Sequence, residues 1–203
     1  MANDATKYSA IVFFKAALPL MKHIAADVPS LAAKFKGVNA VYQISAMDGK
    51  EKMGIHFIIK DGEWTTVQGV YDGKIDAGLH FSSLEKFVAF MKGDMLKLPK
   101  FIIGNFGLFL KFMAVLLKMS SLLNTAEPPK GDEELCLLIT KLYYLLLSYG
   151  ISALNKAGEP KISKWVAASP DRVYQWEVEG HPELTAHIRI DHGKSQAVQG
   201  PCT

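Results

Sequence analysis

The sequence predicts an α+β fold: a curved antiparallel β-sheet covered by helices, with a C-terminal partial repeat that extends or pairs with that sheet. Three observations predict it. From Val41 to Phe81 the apolar residues alternate with period two, and Asp48-Gly49, Asp61-Gly62 and Asp72-Gly73 punctuate the run. Such dipeptides accept the positive φ angles of tight turns, so they read as a meander of four strands. Two long apolar stretches, Gly104–Leu123 and Glu133–Leu154, read as helices too greasy to lie uncovered in water. After residue 170 a strand pattern like the first recurs.

Residues 7–26 place Ile11, Phe14, Leu18 and Met21 at helical spacing, with Pro19 as an interruption. Ser30 reads as the entry to a short helix, Leu31 to Phe35, ended by Gly37. The strands follow at Val41–Met47, Met53–Lys60, Trp64–Val70 and Ile75–Phe81. Ser82 or Ser83 caps a helix over Leu84–Met91, which Gly93 stops. Lys100–Ile103 reads as a short strand and Gly104–Leu123 as an apolar helix. Ala126 to Gly131, with Pro128-Pro129, is the linker between a first domain (1–125) and a second (132–203) packed on it. The second holds the helix from Glu133, then three shorter pieces, Ile162–Ala167, Val173–Glu179 and Leu184–Ile190, and a last run to Gly200.

Composition excludes several classes. With 49% hydrophobic residues the 203-residue chain is no disordered segment. A net charge of +3, with both signs intermixed and no basic run, argues against nucleic acid. Cys136 and Cys202 form no CxxC pair, which leaves no zinc motif and no disulfide framework. Met1 to Lys7 lacks the basic-then-apolar order of a signal peptide, so a cytoplasmic location is expected. Phe101–Leu123 is long enough to span a bilayer, but Asn105, Lys111 and Lys118 interrupt it, which favours a helix covered by protein.

The recurrence is specific. Val41-Tyr42-Gln43 returns as Val173-Tyr174-Gln175, and Val67-Gln68-Gly69 as Val198-Gln199-Gly200. Between them His56, Ile59 and Gly62 match His187, Ile190 and Gly193, with one residue of slip in the first hairpin turn. The second copy stops after three strands. An unfinished sheet has an edge of unpaired backbone groups, so that edge is expected to pair with the first sheet, pair with another chain or be covered by a helix, and a continuous sheet or a strand-paired dimer is predicted.

The segment from about Ala25 to Leu123, half of the chain, is similar to the sterol carrier protein domain. The likeness rests on Pro29-Ser30-Leu31-Ala32-Ala33-Lys34-Phe35-Lys36-Gly37 before a strand, the Asp61-Gly62 hairpin and the Ser83–Met91 helix with its Gly93-Asp94 break. Leu98-Pro99-Lys100, then Gly104-Asn105 and an apolar final helix complete it. One departure is that Phe101–Gly104 is shorter and greasier than the family's strand before the last helix. The resemblance implies an apolar tunnel between sheet and helices, closed by the last helix. It also implies binding or transfer of a sterol, fatty acyl chain, acyl-CoA or isoprenoid. Some family copies serve only dimerisation, and others are accessory to larger enzymes.

A lipid tail needs dry, adaptable walls. Ile55, Phe57 and Ile59 share one strand face and supply one wall. Phe101, Ile103, Phe106, Phe109, Leu110, Phe112, Met113 and Leu116 supply the other, or together these side chains form a filled core. The expected partners are an apolar lipid, transient contact with a membrane surface, and a second copy through the sheet edge or apolar helices. Neither a metal nor a cofactor is expected. His181, His187 and His192 with Asp191 match no zinc spacing, and His56 and His187 read as solvent-facing strand residues. No nucleophile elbow or phosphate loop is present, so the reading is non-enzymatic.

Overall fold

Pro19 shapes the first helical run. Proline donates no N–H, and its ring collides with the carbonyl four residues back. The chain answers with a π-helical turn at Phe13–Ala17 and a 3-10 turn at Leu18–Leu20, set between α1 (Asp4–Val12) and α2 (Met21–Asp27). The computed structural model describes residues 2–125, 127 and 129–202; Ala126 and Pro128 of the expected linker lie outside them. Ala10, Phe14, Leu18, Met21 and Ile24 are buried along one side of the run. The next helix, α3 (Pro29–Phe35), starts earlier than Ser30 suggests. Pro29 takes its first turn, where a missing N–H costs nothing and the fixed φ suits the helix.

Strands β1 (Ala40–Asp48), β2 (Glu51–Lys60) and β3 (Glu63–Gln68) form the expected hairpins. Asp61 and Gly62 both have positive φ, 50° and 86°, as a two-residue turn matched to strand twist requires. The fourth strand corrects the meander. β4 (Ala77–Phe81) pairs in parallel with β1, not with β3, and the sheet order is β3-β2-β1-β4-β5. The sheet is therefore mixed. Gly69 turns the chain out of β3, and the strap that follows crosses the outer face of β2 and β1. Tyr71 N–H donates to Gln43 Oε1 (2.6 Å), and Asp76 brackets Val41 with two hydrogen bonds of 2.9 Å. Asp72-Gly73 sits in this strap instead of in a hairpin. After α4 (Leu84–Met91), capped by Ser83, the edge strand β5 (Lys100–Ile103) runs antiparallel to β4. Asn105 then caps α5 (Phe106–Leu123) through Leu108 N–H.

α6 (Glu133–Lys156) and α7 (Pro160–Ala168) precede β6 (Arg172–Val178), β7 (His181–Asp191) and β8 (Lys194–Gln199). These three strands neither extend the first sheet nor pair with it; they form a sheet of their own. Their buried face explains why. Ala186, Ile188 and Ile190 need an apolar cover, and α6 and α7 supply it. Ser152 donates to the Ser195 carbonyl (3.0 Å) and Asn155 to its hydroxyl (2.9 Å), pinning α6 to β8. The other side of α6 packs on the π-helical turn.

The outer faces of both sheets carry the same polar arrangement. His56 donates to the Gly69 carbonyl (3.0 Å), and His187 to that of Gly200 (2.8 Å). Gly69 and Gly200 each donate back across the hairpin, at 2.8 Å, to Gly54 and Thr185. Gln175 accepts from Cys202 N–H (2.7 Å) as Gln43 accepts from Tyr71. Both histidines are consequently buried, contrary to their expected solvent exposure, because the chain leaving each third strand folds over them.

Candidate functional site

The inner face of the sheet is lined by Tyr42, Ile44, Ile55, Phe57, Ile59 and Leu79, all buried. α5 lies over it with Phe112, Val115, Leu116, Met119 and Leu122 turned inward. Aromatic rings occupy the space between. Tyr42 meets Phe112 at 5.0 Å and Trp64 at 5.6 Å between centroids; Trp64 meets Phe35 at 5.0 Å and Phe57 at 5.4 Å. These edge-on and tilted spacings are those of close aromatic packing.

The eleven expected wall residues therefore divide by position. Ile55, Phe57, Ile59, Phe112 and Leu116 belong to this core. Phe109 and Met113 are half-buried at its margin. Phe101, Ile103, Phe106 and Leu110 lie at the surface, exposed by 42–65%. Phe101 touches the margin edge-on to Phe109, at 5.7 Å. Outward residues 106, 110 and 117 of α5 make an apolar stripe, and Met95, Leu96 and Leu98 before β5 are exposed as well. Sequence reasoning missed Phe35, Tyr42 and Trp64 as members of the site. Trp64 was detectable, since it alternates with Thr66 on the face that β3 shares with Phe57.

Polar atoms in this apolar setting stand out. Tyr42 hydroxyl, Trp64 Nε1 and Thr66 Oγ1 are buried without a hydrogen-bond partner among the described residues. Burial, and secondarily the charge of Asp76, push the Tyr42 phenol well above its ordinary pKa, so it stays a neutral donor. Two donors and a hydroxyl facing an apolar core can receive a carbonyl or carboxylate oxygen.

Two open clefts lie elsewhere. One, of about 420 Å³, sits between α6, Lys118 of α5 and the α2–α3 junction. Its rim holds Asp27, Asp132 and Glu134 against Lys118 and Lys141, and Lys141 bonds Asp27 at 2.7 Å. The other, of about 340 Å³, lies between Lys15, Gln68, Tyr149 and Lys156. Cys136, in α6, donates its thiol to the Pro129 carbonyl.

The histidines of the second sheet do not converge. His181 pairs with Glu183, and His187 is held by Gly200. His192 instead gathers with Asp191 and with Asp171, a residue the spacing did not suggest. All three are exposed, and the hairpin explains them: His192 has a φ of 47°, and Asp171 accepts its N–H at 2.8 Å. The Asp191 hydrogen bond and the charge of Asp171 raise the imidazole pKa. Three helical runs, 4–27, Phe106–Leu123 and Glu133–Lys156, are long and apolar enough to cross a membrane.

No family model and no curated protein matches the chain. Among solved structures, it is similar to the solution structure of a conserved hypothetical protein from Thermus thermophilus, suggested to be a sterol carrier protein. The identity is 9% and the TM-score 0.32, over 51% of this chain and 82% of that one. A likeness at that level carries no argument about function.

Proposed function

We propose that the chain binds an apolar lipid without covalent chemistry, with α5 as the element that admits it. The observation behind this reading is the continuity from surface to core. The exposed stripe of Phe101, Phe106 and Leu110 runs through half-buried Phe109 and Met113 to the aromatic cluster. At its end stand the donors of Tyr42 and Trp64, which have no partner among the described residues. A tail seated beneath a displaced α5 would keep its carbons dry, and its oxygen would satisfy those donors. Fatty acyl chains, acyl-CoA, isoprenoids and sterol-like lipids all fit this chemistry. The C-terminal sheet belongs to the same proposal as a truncated second copy of β1–β3, on the strength of the shared Gln–His–Gly arrangement.

A second reading is an interaction module with no ligand, dimerising through apolar helices or the free edge of β6. The filled aromatic core and exposed apolar stripe favour it. Native mass spectrometry of the purified protein, followed by denaturing extraction, separates the two. A removable lipid of a few hundred daltons supports the carrier. A ligand-free dimer that ignores added fatty acids, acyl-CoAs and isoprenoids supports the module.

A further inference from the structure

We propose that the surface formed by the α4–β5 connection, β5 and the outer stripe of α5 docks on an anionic membrane leaflet. The apolar half of the case is its location. Met95, Leu96, Leu98, Phe101, Ile103, Phe106, Leu110 and Leu117 are large apolar side chains exposed within one 23-residue segment. Leu96 is 90% exposed and Phe106 65%. Phe106, Leu110 and Leu117 follow helical spacing over about 16 Å of α5, at 1.5 Å per residue. Phe101 and Ile103 share one face of the edge strand that leads into them. A patch of this kind marks an interaction surface.

The charged half names the partner. From residue 85 to 111 the chain carries Lys86, Lys92, Lys97, Lys100 and Lys111 against the acids Glu85 and Asp94. Lys92 and Lys97 are exposed in the α4–β5 connection beside Met95, Leu96 and Leu98, while Lys100 is exposed on the other face of β5 from Phe101 and Ile103. Lysines around an apolar strip are the composition of an interfacial segment: the apolar side chains enter the acyl boundary while the ammonium groups reach the phosphates. A symmetric dimer would set this surface on itself and bring lysine against lysine, which is unfavourable. A leaflet rich in phosphate presents the opposite sign.

This surface shares Phe101, Phe106 and Leu110 with the lipid-entry stripe but requires no bound ligand, and its test separates the two. The full chain is floated with vesicles of phosphatidylcholine, with and without phosphatidylglycerol, at low and high salt. The double variant Phe106→Ser/Leu110→Ser and the variant Lys92→Glu/Lys97→Glu are floated alongside, with circular dichroism to verify their fold. Because all four side chains are exposed, the fold should survive. The expected result is flotation with phosphatidylglycerol vesicles that high salt reverses, reduced roughly tenfold or more by either variant. Two results overturn it. One is no flotation at low salt, or flotation that neither variant changes. The other is a concentration-dependent dimer, seen by light scattering, that Phe106→Ser/Leu110→Ser abolishes while vesicles leave the protein unbound. Denaturing extraction reports bound lipid independently of either outcome.

Discussion

Phe112→Ala tests whether α5 is held by the aromatic cluster. Phe112 is fully buried, its ring 5.0 Å from Tyr42, which in turn leans on Trp64 and Phe35. Truncation removes a ring from water-free packing and leaves a hole that a sheet and a capped helix can close only in part. Buried Phe→Ala changes cost about 3–5 kcal/mol. The fixed β-strand beneath argues for the upper half of that range, about 4–5 kcal/mol. Phe106→Ala, at an exposed position of the same helix, is expected to cost under about 0.5 kcal/mol. Urea unfolding followed by tryptophan fluorescence is a suitable assay, because Trp64 stands within the cluster. The denaturant slope of each variant shows whether the unfolded surface stays comparable. If Phe112→Ala cost no more than Phe106→Ala, the inward face of α5 would not be packed on the sheet, and the reasoning would be refuted. A lipid that fills the vacated space should return part of the loss when fatty acid is added.

Three further outcomes are expected. Tyr42→Phe removes a buried hydroxyl with no partner among the described residues, so ligand-free protein should be unchanged or stabilised by about 1 kcal/mol; a loss of that size would show that the hydroxyl is satisfied in solution. Gly78→Ala places a Cβ 2.3 Å from the Gln43 carbonyl in the parallel β1–β4 pair, where backbone cannot yield, and should cost roughly 3 kcal/mol or more in a denaturant titration. Burial, then Lys22 and Lys141, lower His23 to a pKa of about 4, so the fold excludes a proton that the unfolded chain takes up below about 6.5. Stability should then fall as pH drops from about 6.5 toward 4. His23 contributes on the order of 1–2 kcal/mol after allowance for its partial exposure, and His23→Gln should flatten the slope. His80, lowered first by burial, adds to the same trend. His192, raised by Asp191 and Asp171, opposes it with a contribution present below its ordinary value and lost as pH rises. An identical pH profile in His23→Gln and the parent protein would rule out the assignment.

Much of the fold is written locally. Alternation, the Asp61-Gly62 turn and Gly49, which opens a Gly49-Lys50 loop after the paired Asp48, specify β1, β2 and β3 because a strand's period and a turn's φ depend on neighbouring residues. Ser83 and Asn105 mark their helix starts for the same reason. The partner of β4 is not local. Ile75–Phe81 reads equally well as the next strand of a meander, and only Asp76 and Gln43, which tie the strap to β1 across the sheet, place it parallel at the far side. The site divides along the same line. That Phe101, Phe106, Leu110, Phe112 and Leu116 form one apolar run was readable from composition. Which of them face the sheet and which face solvent depends on the helix's rotation over Tyr42 and Trp64. His56 and His187 are the plainest case: two residues on a strand's polar face are buried because chain further along in sequence returns over them. Period and turn chemistry come from neighbours in sequence, whereas strand order, burial and exposure are set by contacts between residues distant in the chain.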